Sequence, residues 1–177
     1  MTSNPTIAIV ITAKNERSLL PFNIAYHRNM GIEHFYVYLD ESDEECQEIL
    51  GQWPFVTINS SITRDELPRI EESGTRIYDL FEKRDIHHTA RQSINAHHAR
   101  LQAREAGFDW LISIDADELV YPLADGPPGG RLVNAIEQAE DAEIIHFKPL
   151  EILPRPVETK NIFAEACWFM NAFETVN

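Results

Sequence analysis

The chain predicts an α/β fold, a mostly parallel central sheet flanked by helices, and three observations point to it. Short β-branched or aromatic apolar runs recur, at residues 6–12 (TIAIVIT), 34–39 (HFYVYL), 55–59 and 110–114. Segments with apolar residues at helical spacing separate them, and the runs break off into polar loops. Three such runs with helical segments between them by residue 59 make a βαβαβ half. A length of 177 residues with 44% hydrophobic content suits one domain with a sizeable core.

The first run does not alternate, so it reads as a central strand buried on both faces. It gives way to the polar turn Ala13-Lys14-Asn15-Glu16. Leu19, Phe22, Tyr26 and Met30 then fall on one helical face, and Gly31 supplies the stop. Residues 34–39 repeat the strand signal with aromatic and β-branched side chains. Ser42 and Glu45 form a capping-box pattern ahead of Cys46, Ile49 and Leu50, which predicts a helix before the third strand. Residues 60–85 mix charges, one Pro and one Gly with scattered apolar positions; they predict a long loop holding a short helix at 78–82. From 85 to 106, Ile86, Ala90, Ile94, His97 or His98, and Leu101 follow a helical period that Gly107 ends. After the fourth strand, at 110–114, come a turn-rich loop at 125–130, a helix at 132–139 and a strand at 143–147. The apolar stretch 163–173 reads as a strand or a short helix.

Charge excludes one class of partner. Twenty-nine acidic against 15 basic residues give a formal charge of −14, which opposes a bare polyanion such as DNA, so no nucleic-acid partner is expected. Cys46 and Cys167 lack CxxC or metal-type partners and are expected as reduced thiols, in keeping with a reducing compartment. The N-terminus does not read as a signal peptide, and no apolar run approaches the roughly 20 residues that span a bilayer. A cytoplasmic location is therefore expected, with peripheral attachment at the inner membrane face left open. The sequon Asn59-Ser60-Ser61 is then a chance match.

The fourth strand stops abruptly at Asp115, Asp117 and Glu118. Two carboxylates about 4 Å apart repel by roughly 4 kcal/mol at an effective dielectric near 20. A hard divalent cation with phosphate oxygens on its far side offsets that cost. The plainer explanation is that these acids solvate a turn or cap a helix. In an open parallel sheet, ligands sit beyond the carboxyl ends of the strands. Lys14-Asn15-Glu16, Asp40-Glu41-Ser42 and Asp115 to Glu118 therefore converge on one crevice, with a composition suited to a nucleotide. Arg91, Gln92 and Asn95 add contacts if their helix borders it. Extended geometry turns Glu118 away from Asp117, so it orients the loop instead of binding metal. Other chemistries lack their motifs: His87-His88 and His97-His98 contain no i,i+4 pair, and HExxH, GxGxxG, GxxxxGK[ST] and GxSxG are absent.

In combination, TAKNE after the first strand, FYVYLDESDEE at the second and DWLISIDADEL at the fourth resemble the nucleotide-sugar-binding half of a GT-A glycosyltransferase. The likeness is to the bacterial family 2-like group, whose motifs read xKNE, YHrxxG and D-x-D-E. Here those are Ala13-Lys14-Asn15-Glu16, Tyr26-His27-Arg28-Asn29-Met30-Gly31 and Asp115-Ala116-Asp117-Glu118. The resemblance covers residues 6–122 and implies a Rossmann-like GT-A nucleotide-diphospho-sugar transferase fold. Residues 123–177 would then be the start of a truncated acceptor-side half of a single domain. It further implies that Ala13, Lys14, Asn15 and Glu16 lie against the nucleotide and that Asp40 accepts from a uracil-type base. Asp115 holds the ribose or a metal-bound water and, with Asp117, forms the metal site, where Asp117 ligates Mn²⁺ or Mg²⁺ bridging the donor diphosphate. Transfer from a UDP-sugar to a hydroxyl of a glycan, lipid or protein acceptor, with inversion, follows from the same resemblance, and a carboxylate serves as the base.

Two departures stand out. Leu39-Asp40 occupies the place where relatives often carry two acids, which leaves one base or ribose contact unaccounted for. The sequence ends 60 residues after Asp117, so the base candidates are Glu151, Glu158 and Glu165. Glu165, in an apolar run, has the more perturbed pKa if buried. Two alternatives accompany the transferase reading. One is a truncated or degenerate nucleotide-sugar-binding domain without turnover. The other is a sugar nucleotidyltransferase, whose first loop needs glycines that Ala13 to Glu16 lacks.

Overall fold

The structure, a computed structural model, describes residues 4–14, 16, 18–39, 44–60, 62–71, 76–121, 128–139, 142–152, 162–165 and 169–171. It divides into two compact units, Met1–Glu137 and Gln138–Asn177.

The first unit is built on a four-stranded parallel sheet in the order β3-β2-β1-β4. Strand β1 (Ile7–Ala13) lies between β2 (His34–Leu39) and β4 (Trp110–Ile114), and β3 (Val56–Asn59) extends the sheet beyond β2. Val10 faces Tyr36 on one side and Ser113 on the other. The unbroken apolar pattern of β1 reflects this central place, since nearly all of its residues are buried. Thr6 and Asp109 tie the starts of β1 and β4 together: the Thr6 N–H and hydroxyl both donate to the Asp109 carboxylate, at 2.8 and 2.9 Å.

Strand order grows one way from β1 to β3 and then jumps back past β1 to β4. Right-handed crossovers consequently put α1 (Leu20–Asn29) and α2 (Glu44–Leu50) on one face and α5 (His88–Ala106) on the other. The core on the α5 face joins Ala8, Val10, Tyr36 and Tyr38 of the sheet to Ile94, Ala99 and Ala103 of α5. The α5 C-terminus closes at Gly107, whose φ of +82° is the left-handed conformation, and the Phe108 N–H returns to the Ala103 carbonyl.

Several expectations are corrected. The buried stripe of α1 is Leu20, Asn23, Ile24 and His27; of the four expected residues Met30, just past the helix end, is buried, whereas Phe22 is 52% exposed and Leu19 and Tyr26 are only half-buried. A count of apolar residues chooses the wrong stripe because the true one carries two polar side chains, both hydrogen-bonded. Ile86, 75% exposed, precedes α5 instead of packing beneath it. Residues 60–85 hold more helix than one short piece: a 3₁₀ turn at Arg64–Glu66 runs into α3 (Leu67–Glu71), and α4 (Ile77–Lys83) follows. Thr63 starts the turn by donating its N–H and hydroxyl to the Glu66 carboxylate at 2.7 and 2.8 Å. Leu67, Ile70, Ile77 and Phe81 then complete the core on the α5 face. Helix α6 (Pro128–Glu137) begins inside the stretch expected to be a loop, with Pro128 at its first position, where no donor is needed.

In the second unit, β5 (Leu150–Ile152) pairs antiparallel with β6 (Phe169–Asn171), and α7 (Ile162–Glu165) precedes β6. The stretch 163–173 thus contains the end of a helix and a short strand. Residues 143–147 form no strand; Ile144 and Phe147 are exposed, and a β pattern without a partner strand makes no ladder. The capping pattern at Ser42, the loop at 125–127, Glu158 and Cys167 lie outside the described residues, while Cys46 is buried.

Candidate functional site

Beyond the carboxyl ends of β1 and β4, where the strand order reverses, lies an open cavity of about 240 Å³. Its lining comes from three elements: Val10 and Thr12 of β1, Ser113 and Ile114 of β4 with Asp115 and Glu118 after it, and Thr89, Gln92, Ser93 and Ala96 of α5. Residue alternation explains the sharing. Val10 and Thr12 point to the α5 face, and Ser113, opposite Val10, points with them. Clefts that engulf a drug-sized ligand occupy about 300–1,000 Å³, and this open cavity is somewhat smaller.

The three acids hold different positions. The Asp115 N–H donates to Glu118 Oε2 at 3.0 Å and the Glu118 N–H returns to the Asp115 carbonyl at 3.1 Å, so Glu118 closes the turn on which both sit. Asp115 Oδ1 accepts from the Gln92 amide at 2.6 Å. Loss of water around the carboxylate raises the Asp115 pKa, the charge of Asp117 raises it further, and His88 partly opposes both. Asp117 is exposed at the tip of the turn and makes no hydrogen bond among the described residues. Two hard oxygen groups, one with its charge poorly compensated and one unengaged, suit Mg²⁺ or Mn²⁺, which takes one or two carboxylates and fills its other positions with water and phosphate oxygens. Among the described residues no three of His, Cys, Asp and Glu converge as a metal site, so the described residues supply at most that partial shell.

The turn is gripped from the α1 face as well. The amide of Asn23 donates to the carbonyls of Ala116 and Glu118 at 3.0 and 2.7 Å. The Val120 N–H donates to His27 Nε2 at 3.0 Å, which makes Nδ1 the protonated nitrogen; it donates to the carbonyl and the side-chain oxygen of Asn23, both at 2.9 Å. The Tyr26 hydroxyl donates to the Val120 carbonyl at 3.2 Å. Asn23 and His27 are fully buried, and that burial pushes the His27 pKa down to about 4.

The other expected residues distribute as follows. Ala13 ends β1 and is buried, Lys14 is exposed, and Glu16 is half-buried with its carbonyl accepting the Leu19 and Leu20 N–H groups that start α1. Asn15 and Asp40 lie outside the described residues. Gln92 borders the cavity, Asn95 sits behind it with its amide on the Thr12 hydroxyl at 2.9 Å, and half-buried Arg91 is outside the lining. Glu151 and Glu165 belong to the second unit; both are exposed, so Glu165 is not the buried acid its apolar setting suggested. Sequence reasoning did not find Thr12, Thr89, Ser93 and Ser113, whose small polar side chains carry no pattern. It named Tyr26 and His27 within a motif but gave them no task. An Asn and a His four residues apart, adjoining apolar Leu20 and Ile24, were the available signal.

Residues 13–163 match the family model of glycosyltransferase family 92. Two glycosyltransferase-like proteins of Arabidopsis thaliana are similar to the chain. One is 26% identical over 181 residues, covering 96% of this chain and 39% of the relative. The other is 23% identical over 180 residues, covering 96% of this chain and 34% of the relative. The chain therefore spans little more than a third of the length of these curated relatives. The motifs alone led to the family 2-like bacterial group, whereas the family matched is 92.

Proposed function

This chain belongs to glycosyltransferase family 92, and from that premise we propose that it moves a sugar from a nucleotide-diphosphate donor, a UDP-sugar, to an acceptor hydroxyl with inversion at the anomeric carbon. One observation carries the reading: Asp115 lines a cavity where the strand order of a parallel sheet reverses, and the exposed Asp117 two residues on is near enough for its charge to raise the Asp115 pKa. Asp115 and Asp117 hold Mn²⁺ or Mg²⁺, with Gln92 fixing the Asp115 carboxylate. When bound, the cation supplies Lewis-acid stabilisation of the charge that develops on the departing nucleoside diphosphate. Thr12, Thr89 and Ser93 line the same cavity. The Thr12 and Thr89 hydroxyls bond ribose or phosphate oxygens, Ser93, whose hydroxyl donates to the Thr89 carbonyl at 2.8 Å, accepts from a ribose hydroxyl, and the loop from Ala13 to Glu16 runs beside the nucleotide. Glu151 and Glu165 are the described candidates for the base that deprotonates the acceptor, a glycan, lipid or protein hydroxyl. Among the described residues, no helix is long and apolar enough to cross a membrane.

The test is a panel of nucleotide sugars, with and without Mn²⁺, read by thermal shift and by donor consumption in the presence of acceptors. A true donor at 100 times its Kd stabilises the fold by about 2.7 kcal/mol. Metal-dependent binding with turnover is expected for a UDP-sugar. Binding without turnover would reduce the protein to a donor-binding module, and no binding by any member would sink the reading. Asp117→Asn is expected to abolish Mn²⁺-dependent donor binding and leave the melting temperature of the metal-free protein unchanged, because an exposed turn acid contributes little packing.

A further inference from the structure

We propose that Asn23 and His27 are positioning residues for the acidic turn: from the buried face of α1 they hold its backbone in the conformation that carries Asp115 and Asp117. The inference rests on the divalent-cation reading above.

From Asp115 to Tyr121 the chain leaves regular secondary structure, so its backbone polar groups need partners from elsewhere. Three of them, the carbonyls of Ala116 and Glu118 and the N–H of Val120, find those partners on just two side chains, and the Val120 carbonyl finds one on Tyr26. Asn and His are rarely buried to 0% exposure without such a task. The network also has a single hydrogen-bond assignment. The Val120 N–H can only donate, so His27 Nε2 accepts and Nδ1 donates; that proton directs Asn23 Oδ1, which leaves the Asn23 amide hydrogens for the two carbonyls. Rotating the Asn23 amide would set donor against donor and acceptor against acceptor at once. Gln92 restrains Asp115 from the opposite face of the sheet. Asp117 is thereby left as the exposed acid on a turn whose backbone is held from the α1 face and whose Asp115 carboxylate is held from the α5 face.

The test uses the whole chain with Mn²⁺ alone as the probe. Its Kd is measured well below the melting temperature, beside thermal unfolding without metal. Outer residues that orient ligands are worth roughly 10–100-fold in metal affinity, and these act through backbone, so Asn23→Ala and His27→Phe are expected to weaken Mn²⁺ about tenfold. Tyr26→Phe, at a half-buried position, is expected to weaken it about threefold, since it removes the hydroxyl that bonds the Val120 carbonyl of the same turn. A purely structural role would lower the melting temperature and leave the Kd of the folded protein alone. If Asp117→Asn loses Mn²⁺ while folded Asn23→Ala and His27→Phe bind it like the native protein, the positioning role is wrong and the metal site stands. If Asp117→Asn binds like the native protein, or the native protein binds no Mn²⁺, the metal site is wrong and this inference falls with it. Should Asn23→Ala and His27→Phe fail to melt cooperatively, Tyr26→Phe decides: a weakened Kd supports the role and an unchanged one overturns it.

Discussion

Burial keeps the His27 imidazole neutral, and stability inherits a pH dependence from it. Its pKa falls from 6.5 in the unfolded chain to about 4 in the fold. Between those values the unfolded state binds the proton and the folded state does not, so stability rises with pH across this window and is fully present above it. Acidification from pH 7 to 4 is expected to remove roughly 3 kcal/mol through this residue alone. Urea unfolding of the native protein and of His27→Phe at both pH values measures it; equal pH losses in the two proteins would refute the assignment. Residues of the site were unevenly legible. Asp115 and Asp117 announce themselves because charge directly after an apolar strand is costly unless something uses it. Asn23 and His27 do not, because a polar side chain reads as a surface residue until its buried partners are known, and those partners lie 93 to 95 positions away.

At the level of elements, termination signals were the most readable. Gly107 marks the end of α5 because only glycine adopts a φ of +82° without strain, and a Cβ built there meets nothing within 4 Å. Gly107→Ala is therefore expected to cost about 1–2 kcal/mol from backbone conformation alone, measurable by denaturant midpoint. A cost near zero would mean that the helix end relaxes. The helices between residues 64 and 83 were obscured by their brevity, since pieces of three to seven residues give no periodic window. Leu67, Ile70, Ile77 and Phe81 look scattered along the sequence and meet only in the core. Residues 143–147 illustrate the opposite error, an apolar β pattern that no neighbouring strand completes.

For the molecule as a whole, the formal charge of −14 acts against compactness. Raising NaCl from about 10 to 200 mM is expected to increase the melting temperature of the metal-free protein, because the Debye length shrinks from roughly 30 Å to below 10 Å. An unchanged or lower melting temperature would show that local ion pairs such as Arg64–Glu82 and Arg69–Glu105 outweigh the net repulsion. The parallel sheet was legible from alternating strand and helix patterns, but the position of β4 beside β1 was not, since no local signal records a neighbour a hundred residues away. That long reach governs how the chain acquires its shape. Thr6 and Asp109 are 103 residues apart, so β1 gains its second neighbour only after β4 has been made. At roughly 5–20 residues per second, a ribosome needs on the order of 5–20 s to cover the interval. Throughout it the future central strand is an unpaired edge, and the hazard of misassociation is concentrated in synthesis, before the finished sheet encloses that strand.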